Sequence, residues 1–180
     1  MLRNADYIYN NIIISDEVNT TKKYCKKAQV GVDLSVKNII NIAGSGLVTT
    51  GKSHIAPYQV REKATFEYGG KEYVGWVLPR GTYICELNEG CEFGSTDTGL
   101  IIMRSSLNRN GTTIQSAVWD PGFTTRDGDK VNTMSIRLTV DADQFCLEEN
   151  ARVAQLLIFE NEAATLYNGQ FQNGGVVSKL

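Results

Sequence analysis

Histidine and proline are scarce in this 180-residue chain, at one and three residues. The lone histidine, His54, has no Asp or Cys companion in its neighbourhood and is read as a surface residue rather than a ligand or base. The four cysteines, Cys25, Cys85, Cys91 and Cys146, form no CxxC or Cys/His pair, so neither a zinc site nor a redox motif is suggested. Reduced, buried or half-buried thiols are expected instead. Charge of one sign is lacking too, since 18 Lys and Arg stand against 20 Asp and Glu, a net charge of −2. Such a chain has no long-range field to hold a nucleic-acid polymer, and phosphate recognition must come from a local cluster of cations. No apolar run approaches membrane-spanning length and no charged start leads into an apolar segment, which predicts a cytoplasmic protein without a membrane partner.

What is present is a chain of one-domain length, with 42% hydrophobic residues, enough for an ordinary core. From residue 64 onward it is a succession of short strand-like runs, ATFEY, KEYVGWVL, TYICEL, GLIIM, TTIQSAVW, TMSIRLTVD and VAQLLIFEN, separated by turn residues. That spacing argues for an all-β sandwich or barrel with little helix. Residues 2–20 read as a short helix or turn running into an edge strand. Residues 28–36, AQVGVDLSV, read as a strand with Asp33 inside it, where a carboxylate needs a partner or a role. Lys22, Lys23, Lys26 and Lys27 around Tyr24 have the pattern of a solvated face or an edge protected from pairing. Residues 124–133 read as a hairpin tip whose Asp127-Gly128-Asp129 is a turn, because the twelve-residue calcium spacing is absent. Residues 140–150 read as a solvated acidic connection. A helix of any length is expected only near that connection or at the N-terminus.

One motif misleads. Residues 46–53, GLVTTGKS, satisfy the phosphate-loop pattern GxxxxGK[ST], but such a loop must open a helix whose N-terminus faces the phosphates. Pro57 follows shortly after Ser53, and the next segment alternates and turns at Gly69-Gly70 as a hairpin does. The strand, loop and helix context is missing, and this stretch is read as a connection.

The chemistry is expected in residues 101–123, IIMRSSLNRNGTTIQSAVWDPGF. Arg104, Ser105 and Ser106 offer a guanidinium fork and two hydroxyls, the donors a polyphosphate takes in charge-assisted hydrogen bonds. Asp120 stands in WDPGF, where Pro121 and Gly122 force a turn and Phe123 sets a flat ring beside the carboxylate. A phosphate clamp, a carboxylate and an aromatic platform suit a nucleotide whose phosphates are attacked by water. The same two stretches are also ordinary turn sequences between antiparallel strands, and by themselves they leave both readings open.

RSSLNRNG followed by WDPGF resembles the second and third motifs of the dUTPase and dCTP deaminase family. Gly31-Val32-Asp33-Leu34 resembles the first motif and residues 151–156, ARVAQL, the fourth. The tail YNGQFQNGGVVSK resembles the C-terminal segment of the deaminase branch. The resemblance covers roughly residues 28–179, and Leu78-Pro79-Arg80-Gly81 looks like the family's loop before a long hairpin. It implies a dUTPase-like β-barrel or distorted jelly roll over residues 28–165, an N-terminal segment 1–27 leading into it, and a tail 166–180 that covers the active site. A homotrimer with sites between chains is implied as well.

The resemblance further implies that Arg104, Ser105, Ser106, Arg109 and Gln155 line the phosphates of a deoxynucleoside triphosphate. Asp120 would activate the attacking water and bond the sugar, and Phe123 would stack under the deoxyribose. Gln115, Ser116 and Ala117 would read the base, Asp33 would serve the framework, and Tyr167, Gln170 and Phe171 would close over the ligand. Mg²⁺ would be held mainly through the triphosphate, with no direct protein ligand. The deaminase branch shuttles protons with a glutamate in the strand after the DPG turn. Counting from that turn reaches Lys130, or Thr139 when the long hairpin is allowed for, and neither does that work near neutral pH. The expectation is a dUTP diphosphatase lacking deaminase activity. The alternatives are a dCTP deaminase-type enzyme and a noncatalytic nucleotide-binding or regulatory protein on the same fold.

Overall fold

The computed structural model describes residues 1–14, 22–123, 126–127, 130–131, 133–162 and 165–169. The chain opens with a helical turn, α1 (Ala5–Tyr7), capped by the Asn4 side chain and continued as a π-helical turn over Ile8–Ile12. Its buried Ile8 and Ile12 enter the common core, and it runs straight into β1 (Ile13–Ile14). Then come β2 (Lys26–Lys27), β3 (Val32–Ile42), β4 (Leu47–Val48), β5 (Ser53–His54), β6 (Tyr58–Val60), β7 (Ala64–Tyr68) and β8 (Lys71–Leu87). After β9 (Gly90–Cys91) and β10 (Asp97–Met103) lies a second short helix, α2 (Ser105–Arg109). The chain finishes with β11 (Thr112–Gln115), β12 (Val118–Trp119), β13 (Arg126–Asp127), β14 (Lys130–Val131), β15 (Ser135–Glu148) and β16 (Arg152–Glu160).

The main sheet has the order β11-β15-β8-β3-β16-β10-β12, with β2 and β6 also pairing β3 and with β7 pairing β8. Its curl comes from long strands that change partners. The first part of β3 pairs β16 through Val32–Ser35 and the rest pairs β8 through Val36–Asn41, with a register shift at each handover. Alternation then turns Leu34, Ile39, Trp76, Leu78, Leu138, Leu156 and Ile158 onto one core that the N-terminal helix also enters. The result is the all-β, barrel-like architecture with little helix that the strand spacing implies. All four cysteines are free thiols, Cys85 and Cys91 buried and Cys25 and Cys146 half-buried. Among the described residues no helix is long and apolar enough to cross a membrane.

Several local expectations hold. Gly69 and Gly70 both take positive φ at the β7–β8 turn, as a two-residue hairpin requires. β13 pairs β14 antiparallel, as a hairpin in this connection requires, while Gly128 and Asp129 of the expected turn lie outside the described residues. The misleading GLVTTGKS stretch is itself a hairpin, β4 against β5, whose turn is closed by the Thr49 hydroxyl accepting from the amides of Gly51 and Lys52. No helix follows it.

Other expectations are corrected. Residues 140–150 are not a solvated connection or a helix, because β15 runs through to Glu148 with Val140 and Leu147 buried and Asp141, Asp143 and Glu148 turned out. Residues 78–81 are not a loop but the middle of β8. The reason is shared: Pro79 has no amide to donate, so the β8–β15 ladder shifts register between Val140 and Gln144 and then resumes. TTIQSAVW is two strands, since β11 pairs β15 while β12 pairs β10.

Gly31 shows why the first motif begins with glycine. A Cβ there would collide with the Leu156 carbonyl oxygen of β16 and with the Leu157 side chain. Gly31→Ala should therefore cost about 1–3 kcal/mol through overpacking, measured as a fall in the urea midpoint with an unchanged slope.

Candidate active site

At the centre of the sheet one row of residues runs across four strands. Lys26 on β2 faces Asp33 on β3, Asp33 faces Gln155 on β16, and Gln155 faces Ile102 on β10. Cross-strand partners share a face, so Lys26, Asp33 and Gln155 stand side by side. Asp33 is only 7% exposed, and a carboxylate so placed requires partners. Arg104, at the end of β10, supplies the main one, its Nε lying 3.0 Å from Asp33 Oδ2. Arg152 Nε lies 3.9 Å from the same oxygen, and Gln155 Nε2 donates to Asp33 Oδ1 at 3.4 Å. Arg104 Nη1 also donates to the Arg152 carbonyl at 2.9 Å. The guanidinium is thus held on two sides before any ligand arrives.

Around this pair opens a cavity of about 690 Å³, walled by Lys26, Lys27, Arg104 and Arg152, with Ser105, Asp33 and Gln155 between them. Four cations face a single carboxylate, a donor set made for an anion with several oxygens. Among the described residues no three His, Cys, Asp or Glu side chains gather into a metal-binding group. A divalent cation fits such a wall when it arrives on the phosphates of a ligand, with Asp33 as the one carboxylate nearby. Ser105 lines the cavity, whereas Ser106 and Arg109, further along α2 and exposed, do not. Lys26, Lys27 and Arg152 were not expected on this wall, because consecutive lysines beside an edge read as a solvated face until β2 is paired against Asp33.

The other half of the expected constellation lies elsewhere. Asp120, Pro121, Gly122 and Phe123 form a turn closed by the Phe123 amide donating to the Asp120 carbonyl at 3.0 Å, with Gly122 at φ 76°. Proline second and a positive-φ glycine third is the signature of a type II turn. The turn is fixed by an aromatic stack: Trp119 lies 6.3 Å from Phe93 and 5.1 Å from Phe123, edge-on to the latter. Trp119 Nε1 donates to Ser116 Oγ, which occupies a hydroxyl expected at the base. Tyr167 packs on Phe123 with centroids 5.4 Å apart, and its amide donates to the Pro121 carbonyl. Gln170 and Phe171 lie outside the described residues. Asp120 itself is exposed, as are Gln115 and Ala117, and none of the expected sugar and base residues lines the cationic cavity. Within one chain the Asp120 turn and the cationic cavity are therefore separate.

Beside Gln115 the structure also identifies the facing residue. β11 is an edge strand, and its Thr113 and Gln115 pair Thr139 and Arg137 of β15. Lys130 belongs instead to the β13–β14 hairpin. No carboxylate occupies any of the four β15 positions paired with β11.

A third group escaped the sequence reading altogether. Glu89 is fully buried, and its carboxyl accepts from the Ser35 amide at 2.9 Å and the Ser35 hydroxyl at 2.7 Å. Asn88 braces the same serine, donating to Ser35 Oγ, to the Val36 carbonyl and to Asn150 Oδ1. Burial pushes the Glu89 carboxyl up to about 7, the Ser35 hydrogen bonds only partly opposing it.

A model of the dCTP deaminase-like family matches residues 5–161. The sequence is 32% identical over 146 residues to a protein of Methanosarcina barkeri named "Probable deoxyuridine 5'-triphosphate nucleotidohydrolase", covering 79% of this chain and 78% of that one. A protein of the same name from Aeropyrum pernix is 33% identical over 148 residues, covering 81% and 84%. Among solved structures, the native dUTPase of EIAV superposes with a TM-score of 0.48 at 15% identity, over 82% of this chain and 92% of that one. The 2'-deoxycytidine 5'-triphosphate deaminase of Agrobacterium tumefaciens gives 0.49 at 10% identity, over 81% and 40%.

The buried acid makes a pH-dependent prediction. The unfolded chain releases the Glu89 proton near the ordinary glutamate value of about 4.3, whereas the folded chain holds it up to about 7. The native state thus binds more protons in that window, and Glu89 lowers stability progressively as pH rises through it. Glu89→Gln, neutral throughout, should melt higher than the parent near pH 8 and lose most of that advantage near pH 5. A difference in melting temperature independent of pH would refute the assignment.

Proposed function

The chain belongs to the dCTP deaminase-like family, and from that membership we propose that it is a dUTP diphosphatase, hydrolysing dUTP to dUMP and pyrophosphate. The observation that carries this reading is the Asp33-braced cavity, with four cations for a polyphosphate. The names of the similar proteins from M. barkeri and A. pernix point the same way. The substrate enters as its Mg²⁺ complex, the metal offsetting charge on the phosphates. Arg104, Ser105 and Gln155 hold the phosphates, with Ser106 and Arg109 contributing from the exposed side of α2. Asp33 orients Arg104 so that the fork needs little reorganisation when the ligand binds.

Water attacks the α-phosphorus, the bond to the bridging oxygen breaks, and pyrophosphate leaves with the electron pair. Asp120 takes the proton from the attacking water. Phe123, steadied by Trp119 and Tyr167, stacks under the deoxyribose. The free edge of β11 around Gln115, Ser116 and Ala117 reads the base through its backbone. The two half-sites are joined between chains of a cytoplasmic homotrimer, the Asp120 turn of one copy closing over the Arg104 cavity of another.

Removal of the cytosine amine is no part of this proposal. It needs a tuned acid beside the base, and the residues paired with β11 offer Arg137 and Thr139 on the outer face, alternating with the buried Leu138 and Val140.

Incubation with Mg²⁺ and each of dUTP, dCTP, dTTP and UTP, with pyrophosphate and ammonia followed separately, should give pyrophosphate from dUTP and no ammonia from dCTP. Ammonia from dCTP would place the enzyme in the deaminase branch. Tight dUTP binding with neither product would make it a regulatory binder.

Asp120→Asn should keep nucleotide binding and lower the rate by roughly 10²–10⁴, the scale of a lost general base. Arg104→Ala should weaken binding and turnover together. If the half-sites meet between chains, light scattering should give about three times the chain mass. Trimers reassembled from a mixture of the two inactive variants should then recover part of the activity. No recovery on mixing would place both halves in one chain.

A further inference from the structure

Among the described residues, Lys26 is the cation on the cavity wall whose charge has no counter-ion. Arg104 and Arg152 face Asp33, and the Lys27 ammonium is tied to Asp6 at 2.6 Å. Lys26 makes no ion pair or side-chain hydrogen bond among the described residues, although its strand position is directly across from Asp33. The Lys27–Asp6 bond fastens β2 to the N-terminal helix, where Lys27 also lies 5.7 Å from the Tyr9 ring centroid. That anchoring holds β2, and with it Lys26, against the edge of the cavity.

The sheet order supplies the geometry. β2, β3, β16 and β10 are successive neighbours, so Lys26 and the β10 end that carries Arg104 stand three strand spacings apart. At about 4.8 Å per spacing that is roughly 14 Å between backbones. The cavity spans this width, with Asp33 and Gln155 between a β2 wall bearing Lys26 and a wall bearing Arg104 and Ser105. The Arg104 side chain reaches back across β16 to Asp33, so its guanidinium lies between the β2 wall and Ser105. A phosphate held at Ser105 leaves Lys26 unused, whereas a chain of phosphates running from Ser105 past the guanidinium reaches it.

We propose that Lys26 is a further phosphate-binding residue, gripping the distal phosphates of the triphosphate from the wall opposite Ser105. This rests on the hydrolase reading of the same cavity and adds a role to it: Lys26 neutralises the end of the substrate that leaves as pyrophosphate, where negative charge grows in the transition state. A lysine suits that end, since a flexible stem with a point charge follows a terminal phosphate that has no fixed bidentate geometry.

The test compares ligands that differ only in the distal phosphates. The full chain and its Lys26→Ala and Lys26→Arg variants are titrated calorimetrically, with Mg²⁺, against dUMP, the nonhydrolysable α,β-imido analogue of dUTP, and inorganic tripolyphosphate. Lys26→Ala should weaken the imido analogue and tripolyphosphate about tenfold to a hundredfold, the scale of one charge-assisted hydrogen bond, while dUMP binding stays as in the parent. Lys26→Arg should restore most of the loss. Parental affinity of Lys26→Ala for tripolyphosphate would overturn the assignment, as would an equal loss for dUMP. If the parent binds tripolyphosphate but releases no pyrophosphate from dUTP, the hydrolase reading falls while the Lys26 comparison still decides its own question. A parent that binds no triphosphate overturns both.

Discussion

The contact between Asp33 and Arg104 is the constraint on which the rest of the site depends. Asp33 is nearly buried in the middle of the sheet, and a carboxylate there is tolerable only if a cation and donors reach it. Arg104 satisfies that demand at 3.0 Å and is itself tied to the Arg152 carbonyl. Without Arg104, the nearly buried Asp33 would keep only Arg152 at 3.9 Å and the Gln155 amide as partners. The pair therefore braces β3 against β10 across β16 and also holds a guanidinium at the floor of an open cavity. Stability and preorganisation rest on the same contact.

One turn of the pleat further along β3, Ser35 points toward a second carboxyl, Glu89, with no cation bonded to it. Two acids served by the same strand thus have opposite surroundings. Asp33 is charge-compensated and opens onto solvent through the cavity. Glu89 is sealed beneath the β-structure, with hydrogen bonds from Ser35 and its own backbone, and burial favours its neutral form. Asn88 and Asn150 complete the network around that serine, and Asn150 takes the left-handed conformation at φ 60° to join β15 to β16. The polar interior is thus bound into the strand crossover that also positions Gln155.

Arg104 and Asp120 stand apart because β12 folds back along β10: Arg104 follows the C-terminal end of β10, whereas Asp120 follows Trp119, which is paired with Gly99 near the start of that strand. The aromatic stack of Phe93, Trp119, Phe123 and Tyr167 then fixes the Asp120 turn where it is. The turn displays the exposed Asp120 carboxylate at the surface, away from the cationic cavity.

The strand succession, the hairpin at Gly69-Gly70 and the type II turn at Pro121-Gly122 were legible in the sequence because local sterics decide them: alternation sets the pleat, and proline and glycine set φ. The pairing of RSS with Asp33 and Gln155 was legible only through family resemblance, since those residues are distant along the chain. The long reach of β15 was hidden by acidic residues that look like a loop, until their outward positions around the Pro79 register shift are seen. Lys26 and Lys27 looked like a solvated edge for the same reason, because only strand pairing tells which face a side chain shares. Glu89 gave no signal, as burial belongs to the packed molecule. The sequence by itself determined the kinds of local structure and the chemical types at the site; only the tertiary structure decided which charges compensate one another, because that depends on cross-strand register and burial, which no stretch of the chain carries alone.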